Sequence, residues 1–317
     1  MSRKLVNTKG MPVDEWRQIR KRSIGGSDAG AIMGMNQWAG PVSVYADKMG
    51  LKEDKKTTEA MRLGTDLESY VASRFEEETG KKVRNDNFMY MHDEYDFITA
   101  NIDRSVVGEN AGLECKTMSS FANYDFDSGD VPANYYCQCQ HYCAVMGYDR
   151  MYLAILVFQK GIFIVPIERN DKFINELIDK EVSFWQNHIE KKVMPAPSTE
   201  EDRDTISELY PEEKFLEEEI YIENLDYLAS EIDKHDEAIK MHKSKVEELK
   251  ARIQAQLKDY GRGYSDRYRV SWLSQSRTTV DSKALKEHFP NIYSKYAKTT
   301  KSRPLRIRKI VNKKEVK

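Results

Sequence analysis

The order of helix and strand signals in residues 13–193 constrains the fold more than any other feature of the sequence. Residues 59–79 carry apolar side chains at four-residue steps, which predicts an amphipathic helix that Gly80 ends. The strands predicted next are residues 88–91, 97–103, 112–116, 151–158 and 162–167, the last two joined as a hairpin, and the further helices are residues 133–146 and 171–191. This order predicts a mixed α/β core, with a sheet flanked by helices.

A proline-rich segment at residues 194–198 divides the sequence. We therefore predict a core domain over residues 1–195 and an extension over residues 196–317. The extension is predicted to be a small α+β region that follows one long helix. Its predicted elements are a helix at residues 212–260, a short helix at 282–288 and strands at 268–273 and 305–311.

Apolar side chains from Leu225 to Ile253 recur in heptad steps along the long helix. His235 and His242 fall on the same seam and weaken it. This pattern favours a helix packed on its own chain over a free two-stranded coiled coil.

The charge of the chain is balanced overall but divided along its length. The formal net charge is −2, which by itself indicates no particular partner. Residues 200–237 contain 16 acidic and 3 basic side chains, whereas residues 295–317 contain 10 basic and 1 acidic. The basic end predicts a surface that binds a polyanion, and a solvated tail is the alternative.

The sequence contains no run of about 18 apolar residues that would predict a membrane span. The cysteines also lack the CxxC spacing of zinc sites, which favours reduced thiols near a core. They are Cys115, Cys137, Cys139 and Cys143. We expect a soluble protein of the cytoplasm, with no membrane partner.

Two carboxylates and a lysine stand on neighbouring predicted strands. Asp103 ends one apolar run, and Glu114-Cys115-Lys116 lies within the next strand. Because successive side chains of a strand point to opposite faces, Glu114 and Lys116 share a face that Asp103 reaches if the strands pair. Two converging carboxylates suit Mg²⁺, which keeps several waters and accepts phosphate oxygens of a substrate. Lys116 would orient an attacking water and offset charge on the phosphate.

Solvated strand faces are the alternative explanation for this trio, because 32% of the residues are charged. The apolar setting of the trio, and the helix with Gln138 and Tyr142 that follows it, favour a catalytic site. A non-catalytic DNA-binding or assembly module, in which the trio is structural, is a further alternative.

Several short motifs cover residues 14–147 in a fixed order. They are Trp16-Arg17-Gln18-Ile19-Arg20, Ile24-Gly25-Gly26-Ser27-Asp28-Ala29, Leu63-Gly64-Thr65-Asp66-Leu67-Glu68, Asp103, Glu114-Cys115-Lys116 and Tyr136-Cys137-Gln138-Cys139-Gln140-His141-Tyr142. Together they resemble the YqaJ-type viral recombinase family, which is related to phage lambda exonuclease within the PD-(D/E)xK nucleases. The proline that often precedes the first aspartate is replaced by Ile102, a variation that the family tolerates.

The resemblance implies a restriction-endonuclease-like core and a 5′-to-3′ exonuclease acting on the ends of double-stranded DNA, leaving 3′ single-stranded overhangs. It implies Mg²⁺ as cofactor, with Mn²⁺ as a substitute, and a homo-oligomer, commonly a trimer. It also implies a single-strand annealing protein as partner in phage-type recombination within a bacterial host. An endonuclease of the same fold is the alternative, and it would not need a pocket for a 5′ phosphate.

Carried over residue by residue, the resemblance assigns the metal to Asp103, Glu114 and the backbone carbonyl of Cys115. Lys116 would position the attacking water.

Three further side chains receive roles near the metal from the same resemblance. Glu68 would be an additional acidic group, and a carboxylate on a helix surface is the alternative. Gln138 or Gln140 would line the site near the scissile strand, and a buried glutamine that satisfies strand edges is the alternative.

Arg20 and Ser27 match the positions that receive the 5′ phosphate in the exonuclease branch of the family. The Gly-Gly-Ser turn before a helix exposes N–H groups, and arginine grips phosphate through two donors. Plain helix capping by Ser27 or Asp28 is the alternative, and Arg22 is a nearby substitute for Arg20. Trp38 is interpreted as a core residue rather than a wedge against DNA bases.

Overall fold

The computed structural model describes residues 3–52, 57–121, 124–300 and 302–307. It divides into two compact units, Met1–Pro211 and Glu212–Lys317. The elements of the first unit are β1 (Arg3–Asn7), α1 (Val13–Lys21), β2 (Ile24–Gly25), α2 (Gly26–Ile32), α3 (Pro41–Lys48), α4 (Glu59–Thr79), β3 (Val83–Asn85), β4 (Phe88–Met91), β5 (Ile98–Ala100), β6 (Arg104–Val106), β7 (Ala111–Met118), α5 (Ala133–Met146), β8 (Arg150–Val157), β9 (Gly161–Glu168), α6 (Asp171–Phe184) and α7 (Glu200–Leu209).

Two sheets form the framework of the first unit. The larger sheet has the order β3-β6-β7-β8-β9, in which β7 and β8 are parallel and the other pairs are antiparallel. The smaller sheet has the order β1-β4-β5-β2. The predicted mixed α/β class is therefore confirmed, and so is the β8–β9 hairpin.

Helices α4 and α5 cover opposite faces of the larger sheet. Phe75 of α4 packs in one apolar cluster with Leu113, whereas Cys139 of α5 packs in another with Leu153. Because both faces of the sheet are covered here, β8 is apolar on both sides, whereas β7 carries Glu114 and Lys116 on the face toward α5. The alternation of β7 places Leu113 beneath α4 and Glu114, which contacts α5, on the opposite face.

The strand predicted over residues 97–103 is shorter in the structure, and the chain passes to the other sheet directly after it. Ile98–Ala100 forms β5 of the smaller sheet, and Arg104–Val106 forms β6 of the larger one. Asp103 lies in the connection between them. The prediction missed this break because all residues from Phe97 to Ile102 fit an extended, largely apolar pattern.

Helix α7 belongs to the first unit, so the division after Pro211 lies beyond the boundary predicted at residue 195. Its Asp202 is fully buried and accepts hydrogen bonds from the backbone amides of Ser43 (3.0 Å) and Ser198 (2.9 Å). The carboxylate thus fastens the proline-rich segment and α7 to the start of α3.

The second unit contains α8 (Leu225–Leu257), the hairpin β10 (Arg262–Tyr264) and β11 (Arg269–Ser271), α9 (Ser282–His288) and α10 (Pro290–Tyr296). The predicted helix at 282–288 is confirmed. Helix α8 begins later than predicted, because the β-branched and aromatic residues at 220–222 disfavour helix before it.

The other strand predictions for this unit are met in part. The predicted strand at 268–273 shortens to β11, and residues 305–307 lie outside any strand. Residues 308–311 of the strand predicted at 305–311, and most of the basic end beyond residue 300, lie outside the described residues. No helix within the described ranges combines the length and apolar character needed to cross a bilayer.

The burial of Asp202 predicts a test of how α7 is attached. Asp202→Ala should lower the free energy of unfolding by about 2–4 kcal/mol, because two partly buried N–H groups lose the buried carboxylate that accepts from them. Urea unfolding followed by circular dichroism measures the change. Asp204→Ala on the same helix, at an exposed position, is the matched control, and equal losses in the two variants would contradict the assignment.

Candidate active site

The connection between the two sheets holds Asp103 against β7. Residue Arg104 pairs with Leu113 in the β6–β7 register, which brings the preceding Asp103 beside the middle of β7. Its Oδ2 accepts a hydrogen bond of 2.8 Å from the backbone amide of Cys115. The predicted approach of Asp103 to this strand is therefore observed, although it comes from a connection rather than from a strand.

Glu114 and Lys116 lie on one face of β7, as predicted from the alternation. Lys116 Nζ donates to Glu114 Oε1 at 2.5 Å, and Gln138 Nε2 donates to the same oxygen at 2.8 Å. Glu114 is only 3% exposed. Its second oxygen, Oε2, is buried and has no hydrogen-bond partner among the described residues.

The charges of this cluster are strongly coupled. Burial raises the pKa of Asp103 well above its usual range, and the nearby carboxylates of Glu114 and Glu68 add to that effect. Burial would lower the pKa of Lys116, but Glu114 and Asp103 outweigh it, so the pKa is raised overall. The ammonium of Lys116 is therefore held charged, while the site carries more negative charge than it can stabilise by itself.

Glu68 is engaged by an arginine. Its Oε1 accepts from Arg104 Nη1 at 2.5 Å, and the same nitrogen donates to the backbone carbonyl of Asp103 at 2.7 Å. A polar cavity of about 260 Å³ is lined by Glu68, Asp103, Arg104, Asn101 and their neighbours. Glu68 thus borders the site and influences Asp103, but it does so as the partner of Arg104.

Gln140 does not reach the site. It is fully buried, and its side chain donates to the carbonyl of Glu168 at 2.7 Å and accepts from the amide of Asn170 at 2.9 Å. The prediction that Gln140 lines the scissile strand is therefore wrong. Side chains two positions apart on a helix point in different directions, so only Gln138 faces Glu114. Gln140 is instead a buried glutamine whose side chain hydrogen-bonds the end of β9.

Arg20, near the end of α1, and Ser27, in the first turn of α2, lie in contact. The Arg20 guanidinium donates to Ser27 Oγ and lies 4.7 Å from the ring centroid of Trp16. Ser27 is exposed, and Arg22 is exposed as well. The structure brings Arg20 and Ser27 together as predicted, with Ser27 accessible from solvent.

The cap of α2 differs from both predictions. The N-cap is Gly25, and its N–H donates to Asp28 Oδ2 at 3.0 Å. Asp28 also accepts from buried Lys48 at 2.6 Å. Neither Ser27 nor Asp28 occupies the N-cap position, because the helix begins earlier, at Gly26, and Ser27 therefore keeps its hydroxyl available for Arg20.

Tyr142 lies between the Glu114–Gln138 pair and the start of α2, which carries Ser27. Its hydroxyl accepts from Gln138 Nε2 at 2.9 Å, and that nitrogen also holds Glu114. A Cβ atom at Gly26 would approach Tyr142 to 2.6 Å and the Gln138 side chain to 3.2 Å. The absence of a side chain at Gly26 therefore allows α2, with Ser27, to lie directly against α5.

A buried histidine beneath this contact was missed by the sequence reasoning. His141 is fully buried, with Nδ1 2.8 Å from Glu181 Oε1 and Nε2 2.8 Å from the carbonyl of Thr99. It therefore links α5 to α6 and to β5. Its position within the Gln138–Tyr142 motif was visible, but its partners are distant in sequence and no local pattern signals them.

Trp38 is 73% exposed, so its interpretation as a core residue is wrong. It lies in the irregular segment between α2 and α3, where an aromatic residue carried no periodicity to locate it. The four cysteines are free, and three of them are buried, as expected for thiols near a core.

The donor set around Glu114 suits a hard divalent cation. No group of three His, Cys, Asp or Glu side chains with metal-binding geometry occurs among the described residues. Mg²⁺ needs few protein ligands, since it retains water and shares substrate phosphate oxygens. Two carboxylates, one with an unpartnered buried oxygen, fit such a cation better than they fit zinc, which prefers a closed set of nitrogen and sulfur ligands.

Comparison with known proteins gives two kinds of match. A model of the YqaJ-like viral recombinase domain matches residues 15–149. The chain is also 33% identical over 315 residues to "Uncharacterized protein YqaJ" of Bacillus subtilis (strain 168), covering 96% of this chain and 97% of that protein.

Solved structures match less extensively. An alkaline exonuclease (LHK-Exo) from Laribacter hongkongensis is 18% identical, with a TM-score of 0.47 over 62% of this chain and 100% of that chain. A putative exonuclease from Eubacterium rectale is 15% identical, with a TM-score of 0.45 over 68% and 97%. A phage related exonuclease from Haemophilus somnus 129PT is 14% identical, with a TM-score of 0.42 over 59% and 96%. The family model and the full-length relative carry the conclusion: this chain belongs to the YqaJ-like viral recombinase family.

Proposed function

We propose that this protein is a Mg²⁺-dependent DNA exonuclease that degrades linear double-stranded DNA from 5′ to 3′ and leaves 3′ single-stranded overhangs. The observation that carries the proposal is the buried, unpartnered Oε2 of Glu114 beside Asp103. A buried carboxylate oxygen without a donor is costly unless a cation completes it. Mn²⁺ has the same preference for oxygen ligands and would substitute.

Asp103 and Glu114 would hold the cation, with the backbone carbonyl of Cys115 as a third ligand. When bound, the cation would polarise the scissile phosphate and lower the pKa of the attacking water. Lys116, held beside Glu114 with its charge retained, would orient that water and stabilise the negative charge that develops on the phosphate. Gln138 would keep the Glu114 carboxylate in place through its hydrogen bond to Oε1.

Arg20 and Ser27 would bind the 5′ phosphate of the DNA end. A guanidinium and a hydroxyl already in contact offer several donors to one phosphate. Gly25, where an added Cβ would lie 4.0 Å from Arg20 Nη2, is followed by Gly26, which packs against the Tyr142 and Gln138 side chains, and Gln138 contacts Glu114. An anion held at Arg20 would therefore lie close enough to the carboxylates to direct one strand toward them.

The assembly and partners are part of the same proposal. The family resemblance supports a homo-oligomer, with a trimer favoured, that encloses the duplex. It also supports cooperation with a single-strand annealing protein in phage-type recombination in the bacterial cytoplasm.

The first prediction concerns the chemistry. Asp103→Asn, Glu114→Gln and Lys116→Ala should each lower the rate of digestion of linear duplex DNA in Mg²⁺ by at least about a hundredfold, because each removes transition-state stabilisation. EDTA should abolish the wild-type activity. Initial rates of nucleotide release measure the effect.

Lys180→Ala, at an exposed position on α6, is the matched control for Lys116→Ala and should digest at the wild-type rate. Near-normal digestion by any of the three site variants would remove the assignment. Rapid nicking of closed circular DNA would instead favour an endonuclease, and no cleavage by the folded wild-type protein would favour a binding module.

The second prediction concerns the charge of the metal-free site. Because the pKa of Asp103 is raised in the folded state, the folded protein retains this proton longer than the unfolded chain. Protonation of Asp103 contributes fully to the free energy of unfolding below the ordinary aspartate pKa of 3.8. That contribution is lost as the pH rises through the higher pKa of the folded state. Asp103→Asn should therefore become more stable relative to the wild type as the pH rises in EDTA.

Mg²⁺ should cancel this difference, because it binds the ionised wild-type site and not the amide. Urea unfolding across this pH range, with and without Mg²⁺, measures both effects. Asp179→Asn, at an exposed position of α6, should leave the pH dependence unchanged. A wild-type curve parallel to that of Asp103→Asn at every pH would contradict the burial of charge.

The third prediction concerns the DNA end. The wild type should digest a duplex with 5′-phosphoryl ends faster than a matched duplex with 5′-hydroxyl ends. Arg20→Ala should lower the ratio of the two rates by roughly tenfold or more, because a charge-assisted contact to phosphate is lost. Arg22→Ala is the matched control and should retain the preference. Equal wild-type rates on the two ends would contradict the phosphate site.

A further inference from the structure

Helix α8 carries an apolar seam that the second unit leaves uncovered. The helix has 33 residues and is therefore about 50 Å long. The seven aliphatic side chains of the seam are each between 42% and 51% exposed. A stripe of this length on a helix whose other faces are largely polar favours a covering surface.

The seam has the composition of a coiled-coil core. The first position of each heptad, called a, is aliphatic throughout and mostly β-branched: Leu225, Ile232, Ile239, Val246 and Ile253. The fourth position, called d, is more mixed: Leu228, His235, His242, Leu249 and Gln256. The aliphatic a positions continue over the whole length of α8 and indicate a second helix as the covering element, whereas the polar d positions restrict how that helix is aligned.

Charged positions beside the seam determine the direction of that second helix. In the N-terminal half they are acidic, with Glu231 at the position before a and Asp236 after d. In the C-terminal half the equivalent positions are basic, including Lys243 and Arg252. A parallel copy in register would place Glu231 against Asp236, so like charges would face each other. An antiparallel copy places Glu231 against Arg252 and Asp236 against Lys243.

The histidines favour the same direction. In a parallel pair, each d-position histidine would meet the same histidine of the second copy inside the seam. In an antiparallel pair centred between Ile239 and His242, a positions face d positions. His242 then packs against Ile239 and His235 against Val246, so each imidazole meets an aliphatic side chain.

We propose that α8 pairs in an antiparallel arrangement with the α8 of a second copy of this chain. The contact is two-fold symmetric, so each charge complementarity occurs twice. Within one helix, Glu231 contacts Lys234 and Arg252 contacts Glu248. These are exposed pairs between residues one turn apart, and such pairs are weak enough to exchange partners on association. The proposal does not depend on nuclease activity.

The test uses the full chain and measures self-association by sedimentation equilibrium. The acidic double variant Glu231→Lys plus Asp236→Lys should weaken the α8-dependent association by about tenfold, because attractive contacts become repulsive. The basic double variant Lys243→Glu plus Arg252→Glu should do the same. The quadruple variant restores opposite charges and should return to the wild-type association constant.

The matched control is Glu237→Lys plus Glu247→Lys, which changes the charge equally at positions away from the seam. Like Glu231, Glu247 contacts a lysine three residues along the helix, so the control also loses one such pair. It should associate as the wild type does. Circular dichroism checks that each variant keeps its helix content.

Cross-linking tests the direction. The double variant Glu231→Cys plus Arg252→Cys should form disulfide-linked dimers under mild oxidation, and neither single variant should. Linkage by Glu231→Cys alone, an equal effect of the control charge changes, or no recovery in the quadruple variant would overturn the proposal. A wild type whose association is indifferent to all of these charge changes would overturn it as well, and would leave the first unit of the same chain or another protein as the covering surface.

Discussion

The hydrogen bond from the Cys115 amide to the Asp103 carboxylate is the contact on which the site depends. Asp103 lies where the chain leaves the smaller sheet and enters the larger one, so it has no strand of its own to fix it. The amide of β7 supplies that fixation. Because β7 is held between β6 and β8, the position of Asp103 becomes a property of the whole sheet. Glu114 is set by the same strand, so the separation of the two carboxylates depends on the Cys115–Asp103 hydrogen bond.

The packing of α5 on β7 that forms this site also lowers the stability of the folded protein. Helix α5 covers the face that carries Glu114, so the carboxylates are buried close together and raise the pKa of Asp103. Lys116 and Gln138 offset part of this charge by contacting one oxygen of Glu114. The other oxygen is left without a donor. Under the proposed function, a cation bound there would stabilise the folded state, and binding and folding would then be coupled.

The sequence predicted the classes of most elements and the face shared by Glu114 and Lys116, because alternation and four-residue periodicity are local. The predictions were wrong or incomplete where contacts between residues far apart in the sequence determine the structure. The division of residues 97–106 between two sheets depends on which partner strand each half finds. Gln138 and Gln140 are alike in sequence, and only the position of α5 on the sheet separates their roles. Asp202 and His141 were given no role, since their partners lie far along the chain.

The close contact between Gly26 and Tyr142 has a consequence of its own. No methyl group fits between them, so α2 packs directly on α5, and Ser27 lies close to the Gln138–Tyr142 pair that contacts Glu114. If the proposed function holds, this packing of α2 on α5 fixes the distance between a bound DNA end and the carboxylates. If the DNA end is anchored at Arg20, the length of each released fragment is determined by this spacing rather than by the DNA sequence, and a bulkier residue at position 26 would change the size of the product.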